Sequence, residues 1–498
     1  MTTPPVSTRE ESDDFDDAAG TLVTPHPTEA TSGLRGRLGV PGLVFAVLAL
    51  ASPLAGVAGY LAFVIASGNG LGAPVAILAM GLVVLIFSIG YVKMAELVPN
   101  PGGFYAYVTA GLGRAAGLGM GMLITLGYTA GTVGFYTFGG LIANGTVNAL
   151  GGPDIPWWVY TVAFIAIVSA LTYRGLDASV RVMSFLLALE VGIVLIVDQV
   201  VTFRGGPSGR PLEPFTMHAI TSGSVPMAAL FALLLFTGFE VTTLFREEVK
   251  DPAKTIRRST YIAVAVIAVL FAYSAWCLIT AFGVDNVVAE AQADPTGIFS
   301  VAVQSYLGST MMTLTSLLLI TSVFASQLGV SNSVCRYLYS MGKDGVLASA
   351  LGRAHDTRHS PHRAAVTLGF LNAGVTIIVV AFRYSPIEMF TWSAFTIALA
   401  ILASYFLVSV TVFVFLLRKR EAATPRTLLL SGIAVVAFGV MLLLALLNPA
   451  GIAGQESVLN YLIPIVLLAV FVGGALYAVY LRNSRPDVYR RIGRQETL

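Results

Sequence analysis

Residues Phe236 to Ile256 read FTGFEVTTLFREEVKDPAKTI. A glycine, Gly238, and an ionisable side chain, Glu240, stand inside an apolar run that then ends in charge. In hydrocarbon an unpaired backbone group or a buried carboxylate costs several kcal/mol, so such a stretch persists where a broken helix lines a cavity that binds something. The rest of the chain says that this stretch does lie in hydrocarbon. With 498 residues, 56% of them hydrophobic and only 11% charged, and a mean hydropathy of +0.80, the chain carries more apolar surface than one water-soluble core can hide.

Charge-poor runs long enough to cross a bilayer, roughly 17 to 25 residues each, recur twelve times. They centre near 42–66, 73–94, 116–142, 155–173, 180–203, 225–246, 259–283, 309–337, 364–382, 390–416, 427–447 and 458–481. Lys and Arg stay on the cytoplasmic side of short loops, which sets the orientation. With the N-terminus inside, only Arg204, Arg210 and Arg383 of the 29 Lys and Arg fall in outer loops. The expected protein is therefore an all-α, multi-pass inner-membrane protein with both termini cytoplasmic and the lipid bilayer as its first partner.

Residues 1–37, which include EESDDFDD at Glu10 to Asp17, are too polar to fold alone and are expected to form a disordered acidic tail. The first apolar run starts near residue 40, too late and too long for a cleavable signal. Cys277 and Cys335 fall in different apolar spans, so neither a disulfide nor a metal site is expected. The net charge of +2 belongs to the basic inner face and implies no nucleic-acid partner. Nothing in the sequence sets an oligomeric state or calls for a cofactor.

Span one, Ala46 to Gly68, reads AVLALASPLAGVAGYLAFVIASG, with Ser52, Pro53, Gly56 and Gly59 at its middle. Proline lacks an amide donor and glycine loosens a helix, so a break there frees carbonyls on one side and amides on the other. Span six breaks at Thr237 and Gly238. The two breaks occupy matching places in two sets of five spans, the pattern of an inverted-repeat transporter with a midplane site. Half-helix N-termini suit a carboxylate, and freed carbonyls suit an ammonium or a sodium ion. The chain divides into a first five-helix repeat over 38–204, a second over 205–417, two further helices over 418–482 and a basic cytoplasmic tail over 483–498.

From Tyr91 the sequence YVKMAELVPNPGGFYAYVTAGLG resembles the end of span two and the next loop in the amino acid, polyamine and organocation transporter superfamily. Glu96, Pro101, Gly102, Gly103, Tyr105 and Tyr107 carry the match. Phe236, Gly238, Phe239, Glu240, Glu247, Glu248, Asp251, Pro252 and Lys254 are similar to that family's elements in and after span six. Arg336 to Leu347, RYLYSMGKDGVL, looks like its run after span eight. The resemblance implies a five-plus-five inverted repeat with helices one and six broken and two extra helices, moving amino acids or polyamines by alternating access. It implies substrate contact at Ala55, Gly56, Val57, Ala58 and Gly59 and at Phe236, Thr237, Gly238, Phe239 and Glu240, with Phe239 closing over the substrate. The chain departs from the family at Gly56 to Leu61, GVAGYL, where an Ile-Phe pair is usual, and at Arg257 and Ala348, where prolines are usual.

Two acids, Glu190 and Glu240, are read as lying well inside spans, and an intramembrane acid is a functional hypothesis by default. In proton-coupled relatives a Lys holds the place of Glu190, so the resemblance makes protonation of Glu190 the candidate coupling event. Glu190 could also stay ionised and attract a cation, or simply fix helix contacts. Glu240 falls at the start of a half-helix, where the dipole favours an acid whatever passes nearby. A sodium site would draw on Thr321, Ser322 and Ser326 of span eight. The run Thr132, Val133, Gly134, Phe135 is similar to a potassium filter, but it lies in an uninterrupted apolar helix. Gly117 and Gly121 are read as helix packing, and Tyr128 and Trp392 as core aromatics. The histidines, His26, His218, His355, His359 and His362, all fall in tails or loops, so no nucleophile and base pair for an enzyme emerges. The reading is a proton-coupled amino acid permease, with a polyamine or cationic amine carrier, an uncoupled exchanger or a nontransporting sensor as alternatives.

Overall fold

The computed structural model describes residues 39–98, 103–175, 180–245, 249, 251–355, 360–419, 423–448 and 457–493. Residues 1–37 and Pro101, Gly102, Glu247, Glu248 and His359 lie outside them. The described residues are helical apart from turns, loops and isolated bridge positions, among them the pair Gly206 and Gly209. The principal helices are α1 (Val40–Ala51), α2 (Ala73–Leu97), α3 (Gly103–Leu112), α4 (Arg114–Ala149), α5 (Trp157–Arg174), α6 (Val180–Arg204), α7 (Val225–Leu234) and α8 (Pro252–Phe282). They continue with α9 (Val287–Ala293), α10 (Ile298–Leu307), α11 (Ser309–Lys343), α12 (His362–Ala381), α13 (Pro386–Arg418), α14 (Pro425–Leu447), α15 (Val458–Ser484) and α16 (Pro486–Arg491). Ten stretches among the described residues are long and apolar enough to cross a membrane. One of them, Val40–Leu97, is 58 residues long and turns back near Gly68 and Gly70, whose backbones leave helical geometry.

Helix starts follow local chemistry. Proline sits in the first turn of α1, α2, α7, α8, α13 and α14, where its missing amide has no helical partner to lose. Asp251 caps α8 by accepting the Lys254 amide, and Ser385 with Glu388 forms a capping box on α13.

The bundle is built around α4. Its most apolar window is 83% buried, against 17% for α15, which therefore turns most of its surface to lipid. A row of glycines seats α4 on α13. A β-carbon on Gly127, Gly131 or Gly134 would come within 2.4 Å of Ala400, 2.4 Å of Ile397 or 2.6 Å of Ser393. In lipid, where burial supplies little force between helices, such close approach supplies the packing. Gly117 and Gly121, the expected packing pair, meet Thr109 and Tyr105 of α3. Helix α4 runs unbroken through Thr132 to Phe135, and Thr132 donates to Thr129 O and Asn372 Oδ1, as a packed helix requires.

At one end of the bundle the segment after α15 folds back. Tyr105 Oη donates to Asp344 Oδ2 at 2.6 Å, and the Gly493 amide donates to the same oxygen at 2.9 Å. Tyr105, Met341 and Val346 pack with Val488 and Ile492 around this contact. Two of the quoted sequence motifs thus meet here and hold the C-terminal segment, while burial pushes the Asp344 carboxyl above the usual carboxylate range. Replacing Asp344 by Ala removes both acceptor bonds. Limited proteolysis of the detergent-solubilised protein is expected to cleave after Arg490 or Arg491 at least severalfold faster; unchanged cleavage contradicts the clamp.

Candidate functional site

The first interruption is at Ser52, which takes left-handed backbone angles (φ 43°, ψ 74°) directly before Pro53. A side chain rarely adopts that region, and the following proline withholds a donor from the preceding turn. The Ser52 hydroxyl lies 3.2 Å from Ala49 O and 3.3 Å from Ser322 O on α11. The chain then resumes as helix, with wide π turns over Gly56–Tyr60 and Val64–Asn69. Ala55 to Gly59 therefore stay helical, and the break falls at Ser52, at the head of the glycine run. Gly56 is there for room: a β-carbon would approach the buried Phe271 ring to 2.7 Å.

The second interruption spans Leu235 to Gly238, between α7 and a 3-10 turn over Phe239–Phe245. Gly238 has φ 110°, which a side chain would strain. The Glu240 carboxylate closes the break. It accepts the Gly238 amide at 3.0 Å, the Tyr405 hydroxyl at 2.9 Å and the Tyr128 hydroxyl. Tyr91 donates to the Glu240 carbonyl at 3.0 Å. The two interrupted helices pack crosswise: α1 touches Phe239–Phe245, and the segment Val64–Asn69 touches α7.

Between them lies a cavity of about 50 Å³, room for a few water-sized groups. Ala51, Gly56 and Tyr60 line it from the first interrupted helix, and Leu234, Leu235, Thr237 and Gly238 from the second. Tyr128, Gly131 and Phe135 of α4, Ser326, Gln327, Val330 and Ser333 of α11 and Ile397 of α13 complete the wall. The Thr237 hydroxyl is buried with no hydrogen-bond partner. No Lys, Arg, Asp or Glu belongs to the wall.

Gly56, Thr237 and Gly238 of the expected contact residues are on that wall; Ala55, Val57, Ala58, Gly59 and Phe236 are buried in packing beside it. Phe239 does not face the cavity. It packs among Phe87, Tyr91 and Tyr405, with ring centroids 6.1, 6.2 and 5.7 Å away. The rings that do face it are Tyr60, Tyr128 and Phe135. Tyr128, expected to be a core aromatic, instead joins the cavity wall to Glu240, and Trp392 stays off the wall. Glu240 is set back behind Tyr128.

Glu190 is 3% exposed, and its carboxylate accepts the Ser322 hydroxyl at 2.6 Å. Because Ser322 O also meets Ser52, Glu190 is one residue removed from the first break. Of the hydroxyls considered for sodium, Thr321 donates to Leu318 O within its own helix, Ser322 serves Glu190 and Ser326 lines the cavity. No group of three or more His, Cys, Asp or Glu fit to hold a metal occurs among the described residues. A third acid is buried within a span: Asp198 of α6 is 2% exposed, so Glu190 and Glu240 are not alone there. The sequence reading passes over it, although it falls inside span five.

Residues 38–471 match the model of a family described as amino acid permease. The chain belongs to that family. Its members are transporters and not enzymes. Among curated relatives, the low-affinity putrescine importer of Escherichia coli K12 is 23% identical over 299 residues, which is 58% of this chain but only 64% of the importer. The branched-chain amino acid permease of Bacillus subtilis is 23% identical over 436 residues, covering 83% of this chain and 86% of that permease. Crystal structures of a manganese transporter from Eremococcus coleocola superpose with a TM-score of 0.58 at 10% identity, covering 92% of this chain and 99% of that one, a likeness of fold alone.

Glu240 is the group that satisfies the second break. Glu240→Ala leaves the Gly238 amide and two tyrosine hydroxyls without their acceptor, at roughly 1–3 kcal/mol for each donor left unmet. Thermal unfolding in detergent is expected to shift down by several degrees for Glu240→Ala and less for Glu240→Gln, which keeps one acceptor oxygen. Equal stability of all three proteins contradicts this role.

Proposed function

We propose that the protein moves an amino acid across the inner membrane by alternating access, coupled to protons through Glu190. The cavity between the two interrupted helices carries the reading. A zwitterion needs donors for its carboxylate and acceptors for its ammonium, and helix interruptions offer both without a buried countercharge. The unpaired Thr237 hydroxyl offers one more polar contact. Leu234, Leu235, Phe135, Val330 and Ile397 supply apolar wall for a side chain.

The proposed architecture has twelve spans in a five-plus-five inverted repeat with two added helices. Ten apolar stretches agree with twelve passes if Val40–Leu97 crosses twice and 225–245 crosses once as a broken helix. The crosswise packing of the two interrupted helices supports the inverted relation, and the distribution of Lys and Arg supports cytoplasmic termini. Glu190 is suited to coupling because it sits beside the first break with a hydroxyl partner and no cation. The ion pairs among the described residues are Lys93–Glu96 and Arg490–Asp487, both far from it in sequence.

A polyamine or cationic amine is the second reading. Three buried acids without a basic partner and the likeness to a putrescine importer favour it. Against it, Glu240 is saturated by its own donors and no acid reaches the cavity wall.

Counterflow of labelled solute in proteoliposomes, screened with the twenty amino acids and with putrescine, tests the reading. Exchange of an amino acid supports it, exchange of putrescine alone moves the assignment to amines, and no exchange of either contradicts carriage. With the transported solute, Glu190→Gln is expected to abolish the response of uptake to an imposed pH gradient. An unchanged response rules out the coupling role.

A further inference from the structure

Asp198 takes no part in either helix break or in the cavity wall. It lies eight residues beyond Glu190 on α6, about 12 Å along the axis, and both carboxylates are turned into the bundle. Ser274 of α8 donates to Asp198 Oδ2 at 2.6 Å. Around it, Thr202 donates to Asp198 O at 2.7 Å and lies 2.7 Å from the Tyr273 hydroxyl, while Cys277 Sγ also meets Asp198 O. Tyr273 is only partly buried, so this polar group reaches from the bundle interior to its edge. The remaining charged and titratable groups nearby are occupied elsewhere. Arg204 donates to Tyr306 O, Tyr306 to Gly205 O, and Arg210 to Thr202 O and Phe203 O.

Helix α11 runs antiparallel to α6: Glu190 meets Ser322, and Arg204 at the far end of α6 meets Tyr306 just before α11 begins. Thr315 lies seven residues before Ser322, on the same face of α11, and hence near the height of Asp198. Its hydroxyl is buried and has no hydrogen-bond partner. A buried acid toward one end, an unpaired hydroxyl at a similar height on the facing helix and a second buried acid toward the other end make a polar seam through an apolar bundle. Such groups are costly in hydrocarbon and mark ion or proton routes.

We propose that Asp198 is the proton-loading residue on the outer side, taking up a proton and passing it along the α6–α11 seam to Glu190. The proposal rests on the coupling role given to Glu190. In the step outer water admitted past Tyr273 and Thr202 gives a proton to the Ser274 hydroxyl as that hydroxyl passes its own proton to Asp198 Oδ2, so the carboxylate is protonated and Ser274 is left unchanged. Asp198 then loses that proton to the Thr315 hydroxyl and water admitted to the seam, which deliver it to the Glu190 carboxylate, so one proton enters and none is created or lost. Asp198 acts through Glu190 and is not a substrate contact.

The test uses the full chain in proteoliposomes with a trapped pH dye and the twenty amino acids supplied together. For Asp198→Asn, solute uptake and internal acidification driven by an outer acid pH are expected to fall at least tenfold, while counterflow at equal pH stays within twofold of the unsubstituted protein. Asp198→Glu is expected to restore gradient-driven uptake with a shifted pH profile. Gradient-driven uptake retained by Asp198→Asn but lost by Glu190→Gln overturns the loading role and leaves the Glu190 coupling intact. Retention by both variants overturns the coupling reading itself. Loss of counterflow in Asp198→Asn without rescue by Asp198→Glu assigns the acid to folding and also overturns the proposal.

Discussion

Every backbone group freed by a helix break inside hydrocarbon must find a partner, and the two interruptions meet that demand differently. At Ser52 the chain changes direction in a single residue and returns to helix almost at once. A hydroxyl and the carbonyls around it absorb the local loss. At Leu235 to Gly238 the gap is wider, and one carboxylate gathers the freed amide with two tyrosine hydroxyls from distant helices. Because Tyr128 belongs to both this cluster and the cavity wall, the chemistry that repairs the backbone also shapes the place where a solute would sit.

That arrangement has consequences for motion. A helix that is continuous can tilt only as a whole, whereas one with an interruption can move its halves separately about the break. The glycine row on α4 fastens it tightly against α13, so the central pair resists such movement. The interrupted helices are closely packed too, Gly56 against Phe271 and Gly68 against Ala228, but each carries a break about which its halves can turn. The division between an unbroken scaffold and jointed elements suits the proposed alternating access, and it follows from where glycine and proline stand.

The apolar runs and the break at Gly238 could be read from the sequence because each is a local property of composition or spacing. The partners of Glu240 could not. Tyr128 and Tyr405 lie 112 and 165 residues away from it, and nothing in an all-apolar span says which face turns inward. The same blindness hid Asp198, which lies in span five with no local mark of its burial, and the resemblance aimed Phe239 at a cavity from which its packing among Phe87, Tyr91 and Tyr405 turns it away. The first break was found within a few residues, since proline and glycine mark the weak point but the left-handed residue is set by tertiary contacts.

The central claim is that a solute enters the space between the two interruptions. Thr237→Cys, in a background of Cys277→Ser and Cys335→Ser, places one thiol on that wall. Its rate of reaction with a small maleimide, measured in membranes with and without the twenty amino acids, tests the claim directly. The account predicts labelling that slows severalfold when the amino acids are present. Labelling at the same rate in both conditions, in protein that still catalyses counterflow, would contradict it.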